Sequence, residues 1–165
     1  KFNDARNRIQ IISGTDIKGT PEFFKAYAKL YIKQNDNLQA IGWLRQAINA
    51  NPLDDEVVFM LAEILLKTHK YDQATSLVNK AIELDPSNPT YRIAYAKIIH
   101  ETQDATSAIG YLLSLDTEFP DNPEILSEVA ILYYRNGQIK DFEEIKSRME
   151  KLPGKDKTLY SFLIK

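Results

Sequence analysis

Cysteine is absent from the 165 residues, which excludes disulfides, thiolate nucleophiles and the common cysteine zinc sites. A chain without cysteine suits reducing and oxidising surroundings alike. The compartment therefore stays open between a cytoplasmic place and a bacterial periplasmic or other envelope location reached through a signal upstream of Lys1. No apolar run approaches the roughly 18 to 20 residues that span a bilayer, and residues 1–20 lack the apolar centre of a secretory signal. Excess charge of one sign is missing too: a net charge of −2 leaves no electrostatic footprint for nucleic acid or an anionic membrane. Neither nucleic acid nor a direct membrane span is expected.

Catalytic vocabulary is equally thin. Histidine occurs twice, at His69 and His100, too far apart in sequence to read as a metal motif. The stretch His100-Glu101-Thr102-Gln103-Asp104 begins like a zinc-protease helix but has no second histidine. No glycine-rich phosphate loop and no Gly-x-Ser-x-Gly turn occurs. Acidic pairs such as Asp54-Asp55 and Glu143-Glu144 read as helix-start or solvent-face charges. The expectation is a non-enzyme with no cofactor and no metal.

What the chain does have is a repeat. Alanine returns every 34 residues at Ala28, Ala62, Ala96 and Ala130. In the same register stand Ala40, Ala74 and Ala108, then Pro52, Pro86 and Pro120. Larger apolar residues repeat at Tyr27, Leu61, Tyr95 and Val129, and again at Tyr31, Leu65, Ile99 and Tyr133. Within a unit the spacing is helical: Phe24, Tyr27, Ala28 and Tyr31 mark one helix, and Ala40, Ile41, Leu44, Ala47 and Ile48 the next. Alanine lets paired helices approach closely while the neighbouring large side chains fill the surrounding space. Asp54, Asn88, Asn122 and Asp156 share one position suited to an N-cap, with Pro89 and Pro123 just after two of them. Thr20-Pro21 repeats that signal. Asp36 and Asp104 are caps for second helices after turns at Asn35 and Gln103, and His69 falls at a turn where a left-handed backbone is expected.

These small-residue, aromatic and proline positions across residues 21–154 resemble the tetratricopeptide repeat (TPR). The resemblance implies an all-α fold, a right-handed α-α superhelix (TPR solenoid) of about four helix-turn-helix repeats with half-repeat helices at either end. The expected organisation is a degenerate half-repeat and linker at 1–20, then repeats at 21–54, 55–88, 89–122 and 123–154, and a final helix at 155–165 that opens a further repeat. The chain then reads as a window on a longer array; the other reading is a complete domain with ordinary end caps. Arg92 departs from the family pattern at a bulky position, Leu115 and Met149 at a small one, and Phe142 at the second-helix alanine. The fourth repeat is expected to pack its second helix less closely.

The family resemblance also implies a concave groove that grips a peptide or helix of a protein partner. The groove-facing register carries over to Lys25, Lys29 and Lys33; to Phe59, Glu63, Leu66 and Lys67; to Ile93, Lys97 and His100; and to Ile131, Tyr134 and Arg135. Lys25, Lys29 and Lys33 lie on one helix face, as a stripe for an acidic segment or as a solvated face. The apolar members accept apolar anchors of a partner or pack between repeats. The family's site for the acidic tails of Hsp70 and Hsp90 chaperones expects Lys, Asn, Asn, Lys and Arg where Lys25, Lys29, Met60, Thr90 and Ala94 stand. Only Lys25 matches, so chaperone-tail binding is disfavoured. Leu159, Phe162 and Leu163 make the last helix apolar nearly all round, an end face for another repeat or for self-association. The leading function is a protein-binding scaffold; its rival is a spacer or oligomerisation module acting through its ends and convex face.

Overall fold

A computed structural model of the chain describes residues 18–152. Eight α-helices and no strand occur among the described residues: α1 Pro21–Lys33, α2 Asn37–Ala50, α3 Asp55–Lys67, α4 Tyr71–Leu84, α5 Pro89–Thr102, α6 Ala105–Glu118, α7 Pro123–Arg135 and α8 Ile139–Glu150. The expected half-repeat before the first helix, the final helix and its end face at Leu159, Phe162 and Leu163, and the cap at Asp156 lie outside the described residues.

Short polar side chains start most helices. Thr20, Asp36, Asp54, Asn88, Asp104 and Asn122 each accept from backbone N–H groups in the first turn, supplying acceptors to donors the helix leaves unpaired. The α4 and α8 starts have no such side-chain bond. Between paired helices the chain reverses through a single left-handed residue at Asn35, His69 and Gly137. Gly137 adopts that backbone without a Cβ penalty, whereas Asn35 and His69 bear it. The expected turn at Gln103 is present, without a left-handed residue. Here α5 runs on to Thr102, and Gln103 closes it at φ −124°.

The helices form two compact units that part between Pro86 and Ser87. In the first, α1 pairs with α2, α3 with α4, and α2 also meets α3. Ala28, Ala40, Ala47, Ala62, Ala74 and Ala81 are all buried, so the pairs close backbone to backbone around Leu44 and Val78. The third helix, α3, is sunk deepest: from Val57 to Leu65 only Glu63 is exposed.

In the second unit α5 pairs with α6 and α7 with α8, while α6 and α5 each also meet α7. Its core gathers Ala96, Ala108, Leu112, Leu115, Ile125, Leu126, Val129, Phe142, Ile145 and Met149. Larger side chains at Leu115, Phe142 and Met149 hold the paired backbones apart. The α5/α6 and α7/α8 pairs touch over fewer positions than the two pairs of the first unit. The looser packing expected for the fourth repeat thus extends to α5 and α6, where Leu115 stands in the register of Ala47 and Ala81. Arg92 keeps its place by other means: its guanidinium lies over the Phe119 ring, 5.8 Å from the centroid, and pairs with Glu118. At the far end of α6, Arg148 donates to both oxygens of Asp116 and to Asp121, tying α8 to α6 and to the following turn. These bonds, to Asp116 first and then Asp121, raise the Arg148 pKa above its already high ordinary value.

Candidate functional site

The lysine stripe of α1 is not free charge. Lys25 Nζ lies 2.9 Å from Asp54 and 2.7 Å from Glu56, and Lys29 Nζ lies 2.6 Å from Glu56. Burial works against the Lys25 charge, but hydrogen bonds to Glu56 and Asp54 outweigh it and hold the ammonium above its usual range. The Glu56 carboxyl is lowered, by its hydrogen bond from Lys25 and then by that from Lys29. Two lysines thus meet two carboxylates, and the four charges cancel. Asp54 also caps α3 through the Val57 N–H at 3.0 Å, so the network fastens α1 to the start of α3. Of the three lysines of the stripe only Lys33, at the exposed end of α1, lies outside these pairs.

Phe59 and Ile93, proposed as groove anchors, are 9% and 5% exposed. Both belong to the packed interior, and Ile93 sits in the core cluster of the second unit. An α-helical face that looks outward by register turns inward once its neighbours enclose it, and a large apolar side chain gains roughly 1.5–3 kcal/mol by that burial. In the first unit Leu66 is half-buried, while Glu63 and Lys67 face solvent.

The second unit brings four of the expected residues together. A cavity of about 320 Å³ opens between α5 and α7, with α6 behind it. Ala96, Leu112, Ile131 and Leu132 supply its apolar walls, and Lys97, His100, Glu101, Glu128 and Arg135 its polar ones. Lys97 Nζ is neutralised by Glu128 at 2.7 Å. Arg135 forms no ion pair among the described residues, and it stands in the last turn of α7 as His100 does in the last turn of α5. The Nδ1 atom of His100 is buried and has no hydrogen-bond partner. Tyr134 is 55% exposed, is not among the residues that line the cavity, and leans on Phe142, ring centroids 5.4 Å apart. The volume is at the small end of ligand pockets, the size of one or two side chains rather than a cofactor. No cluster of metal-ligating side chains occurs among the described residues, and no described helix is long and apolar enough to cross a membrane.

Residues 31–98 match the tetratricopeptide repeat family. Solved structures agree over nearly the whole chain. A thermophilic TPR protein of Thermus thermophilus superposes with a TM-score of 0.78 at 16% identity, covering 99% of this chain and 89% of that one. Residues 31–98 carry the repeat, and the fold of the chain is that of solved TPR proteins. Its fold is the all-α TPR solenoid, a fold that generally serves as a protein-interaction scaffold. The pilF protein of Pseudomonas aeruginosa matches with a TM-score of 0.74 at 14% identity, covering 96% of this chain and 72% of that one. YrrB, described as a TPR protein with an unusual peptide-binding site, matches at 0.68 and 11% identity, covering 99% and 85%.

Within this TPR chain, Glu128, Leu112 and Leu132 were missed as cavity residues. Glu128 had a readable signal: Lys25 reaches Glu56 and Lys97 reaches Glu128, in each case one helical turn short of a full TPR further along. The same step recurs because neighbouring first helices lie side by side. Leu112 and Leu132 have no such signal, since their periodicity is that of core residues. The positions of the chaperone-tail clamp hold Met60 and Ala94, both buried, and Lys25, already paired.

Proposed function

We propose that this TPR chain is a non-catalytic scaffold that grips a peptide or helix of a protein partner, and that the grip in the second unit centres on the cavity between α5 and α7. The observation that carries this reading is the convergence of Lys97, His100, Ile131 and Arg135 on one cavity. A cleft with apolar walls and a few polar groups suits a side chain inserted from a partner. The YrrB likeness agrees, as a structural relative described by its own peptide-binding site.

Site-specific photo-crosslinking tests it. A photoreactive residue at Ile131 captures the partner, one at the exposed Gln46 of α2 does not, and Ile131→Asp abolishes capture while the helical circular dichroism is kept. Unchanged capture by Ile131→Asp sinks the reading. One observation favours the rival, an oligomerisation module: Leu38 and Leu53 are 79% and 72% exposed. Sedimentation showing a dimer that Leu38→Ser and Leu53→Ser dissolve supports that rival.

A further inference from the structure

The charges of the cavity are unequal in what they have left to give. Lys97 and Glu128 satisfy each other at 2.7 Å, the Glu101 carboxylate has an interaction of its own, and Arg135 is a cation without an ion-pair partner among the described residues. His100 adds a second directional group. Its Nδ1 is buried and partnerless, whereas its Nε2 is not among the buried unsatisfied atoms. Burying a bare lone pair is less costly than burying an unpaired N–H. The neutral ring therefore carries its proton on Nε2, the nitrogen that is not buried without a partner. A guanidinium and an imidazole N–H, each in the last turn of its helix, then stand at the same end of a pocket walled by Leu112, Ile131 and Leu132.

We infer that this pocket reads a two-part signal on a protein partner, an aliphatic side chain seated against Ile131, Leu112 and Leu132 and a carboxylate beside it held by Arg135 and the Nε2–H of His100. The inference rests on the docking reading above and specifies its chemistry. The apolar walls alone accept any aliphatic group. The unpaired guanidinium gives a carboxylate its place, because charge-assisted hydrogen bonds from planar Arg are both stronger and more directional than neutral ones. A lysine in the partner's sequence at that point meets Arg135 and is repelled.

The probes are four acetylated, amidated seven-residue peptides of serine and glycine that carry at their centre leucine-glutamate, leucine-glutamine, leucine-lysine or serine-glutamate. Binding is read by amide chemical-shift titration of the whole chain, and the His100 tautomer by long-range nitrogen-proton correlation. The free protein is expected to show the Nε2–H tautomer. The leucine-glutamate peptide shifts residues of α5 and α7, and exchanging its glutamate for glutamine, or Arg135 for Gln, weakens it roughly tenfold. His100→Gln, whose amide NH2 reaches the Nε2 position, keeps the binding, whereas His100→Leu loses several-fold. Equal binding of the glutamate and glutamine peptides overturns the carboxylate arm, and equal binding of the serine-glutamate peptide overturns the aliphatic arm. An Nδ1–H tautomer in the free protein overturns the role of His100. If none of the four peptides shifts the pocket while crosslinking at Ile131 still captures a partner, the anchor chemistry is wrong and the docking reading stands.

Discussion

The two units solve one packing problem with different side chains. In the first, Ala47 and Ala81 sit where the second helices cross their partners, and the paired backbones close over them. In the second, Leu115 and Met149 occupy that register, Phe142 replaces an alanine, and the paired backbones stand further apart. All three of these side chains are almost wholly buried. The surfaces differ in consequence of their charges. Between α1 and α3 two lysines and two carboxylates cancel; between α5 and α7 one such pair forms, and a cavity with an unpaired arginine remains beside it. One repeat architecture thus gives a closed ion-pair seam in one unit and an open pocket in the other.

Exchanging the register residues is the strongest way to break this comparison. Leu115→Ala, which gives the second unit the alanine of the first, leaves a cavity because the flanking helices are already spaced for leucine; urea unfolding is expected to show a loss of about 2–5 kcal/mol. A stability unchanged within error would mean that the spacing collapses freely. The reverse exchange, Ala47→Leu, forces volume between closely packed backbones and is expected to lose about 1–3 kcal/mol by overpacking. Removing the tie between α8 and α6 comes next. Arg148→Met strands the nearly buried Asp116 and is expected to lower stability by about 1–2 kcal/mol, at the low side of charged hydrogen bonds because Arg148 is partly solvated. Hydrogen exchange should speed up first in α8.

The smallest effect concerns the seam of the first unit and its pH dependence. Glu56 has a lowered carboxyl pKa in the fold, so its stabilising contribution is full above the ordinary Glu range and is lost as pH falls through the lowered folded value. Half of Glu56 faces water, and the contribution is expected to be only about 0.2–1 kcal/mol. Unfolding midpoints of the native chain and of Glu56→Gln should converge between pH 7 and pH 3. A gap that stays constant with pH would assign the effect of the substitution to packing.

Much of this architecture was legible in the sequence. Thr20, Asp36, Asp54, Asn88, Asp104 and Asn122 act as caps because a short side-chain oxygen at that position meets its N–H groups whatever the rest of the fold does. The left-handed turn at His69 was legible from register with Asn35 and Gly137. The turn at Gln103 before the Asp104 cap was legible too, although α5 runs one residue further than α1 before it. Asp121, left-handed at φ 57°, is of a residue type that tolerates that backbone, but the bond from Arg148 of another helix to its carboxylate has no local sign. Phe59 and Ile93 stood at groove positions by register and are buried, since periodicity gives a direction around a helix but not how much of that side its neighbours cover.

The sequence by itself determined the helices, their caps, their pairing over alanine and the repeat they form, because each of these follows from local spacing repeated every 34 residues. Only the tertiary structure decided which charges are left over. Lys25 and Lys29 meet carboxylates across two helices, Arg135 meets none among the described residues, and His100 buries one ring nitrogen without a partner at the wall of the cavity. Electrostatic pairing acts over a few ångströms between residues far apart in sequence, and that closeness exists only after the helices have packed.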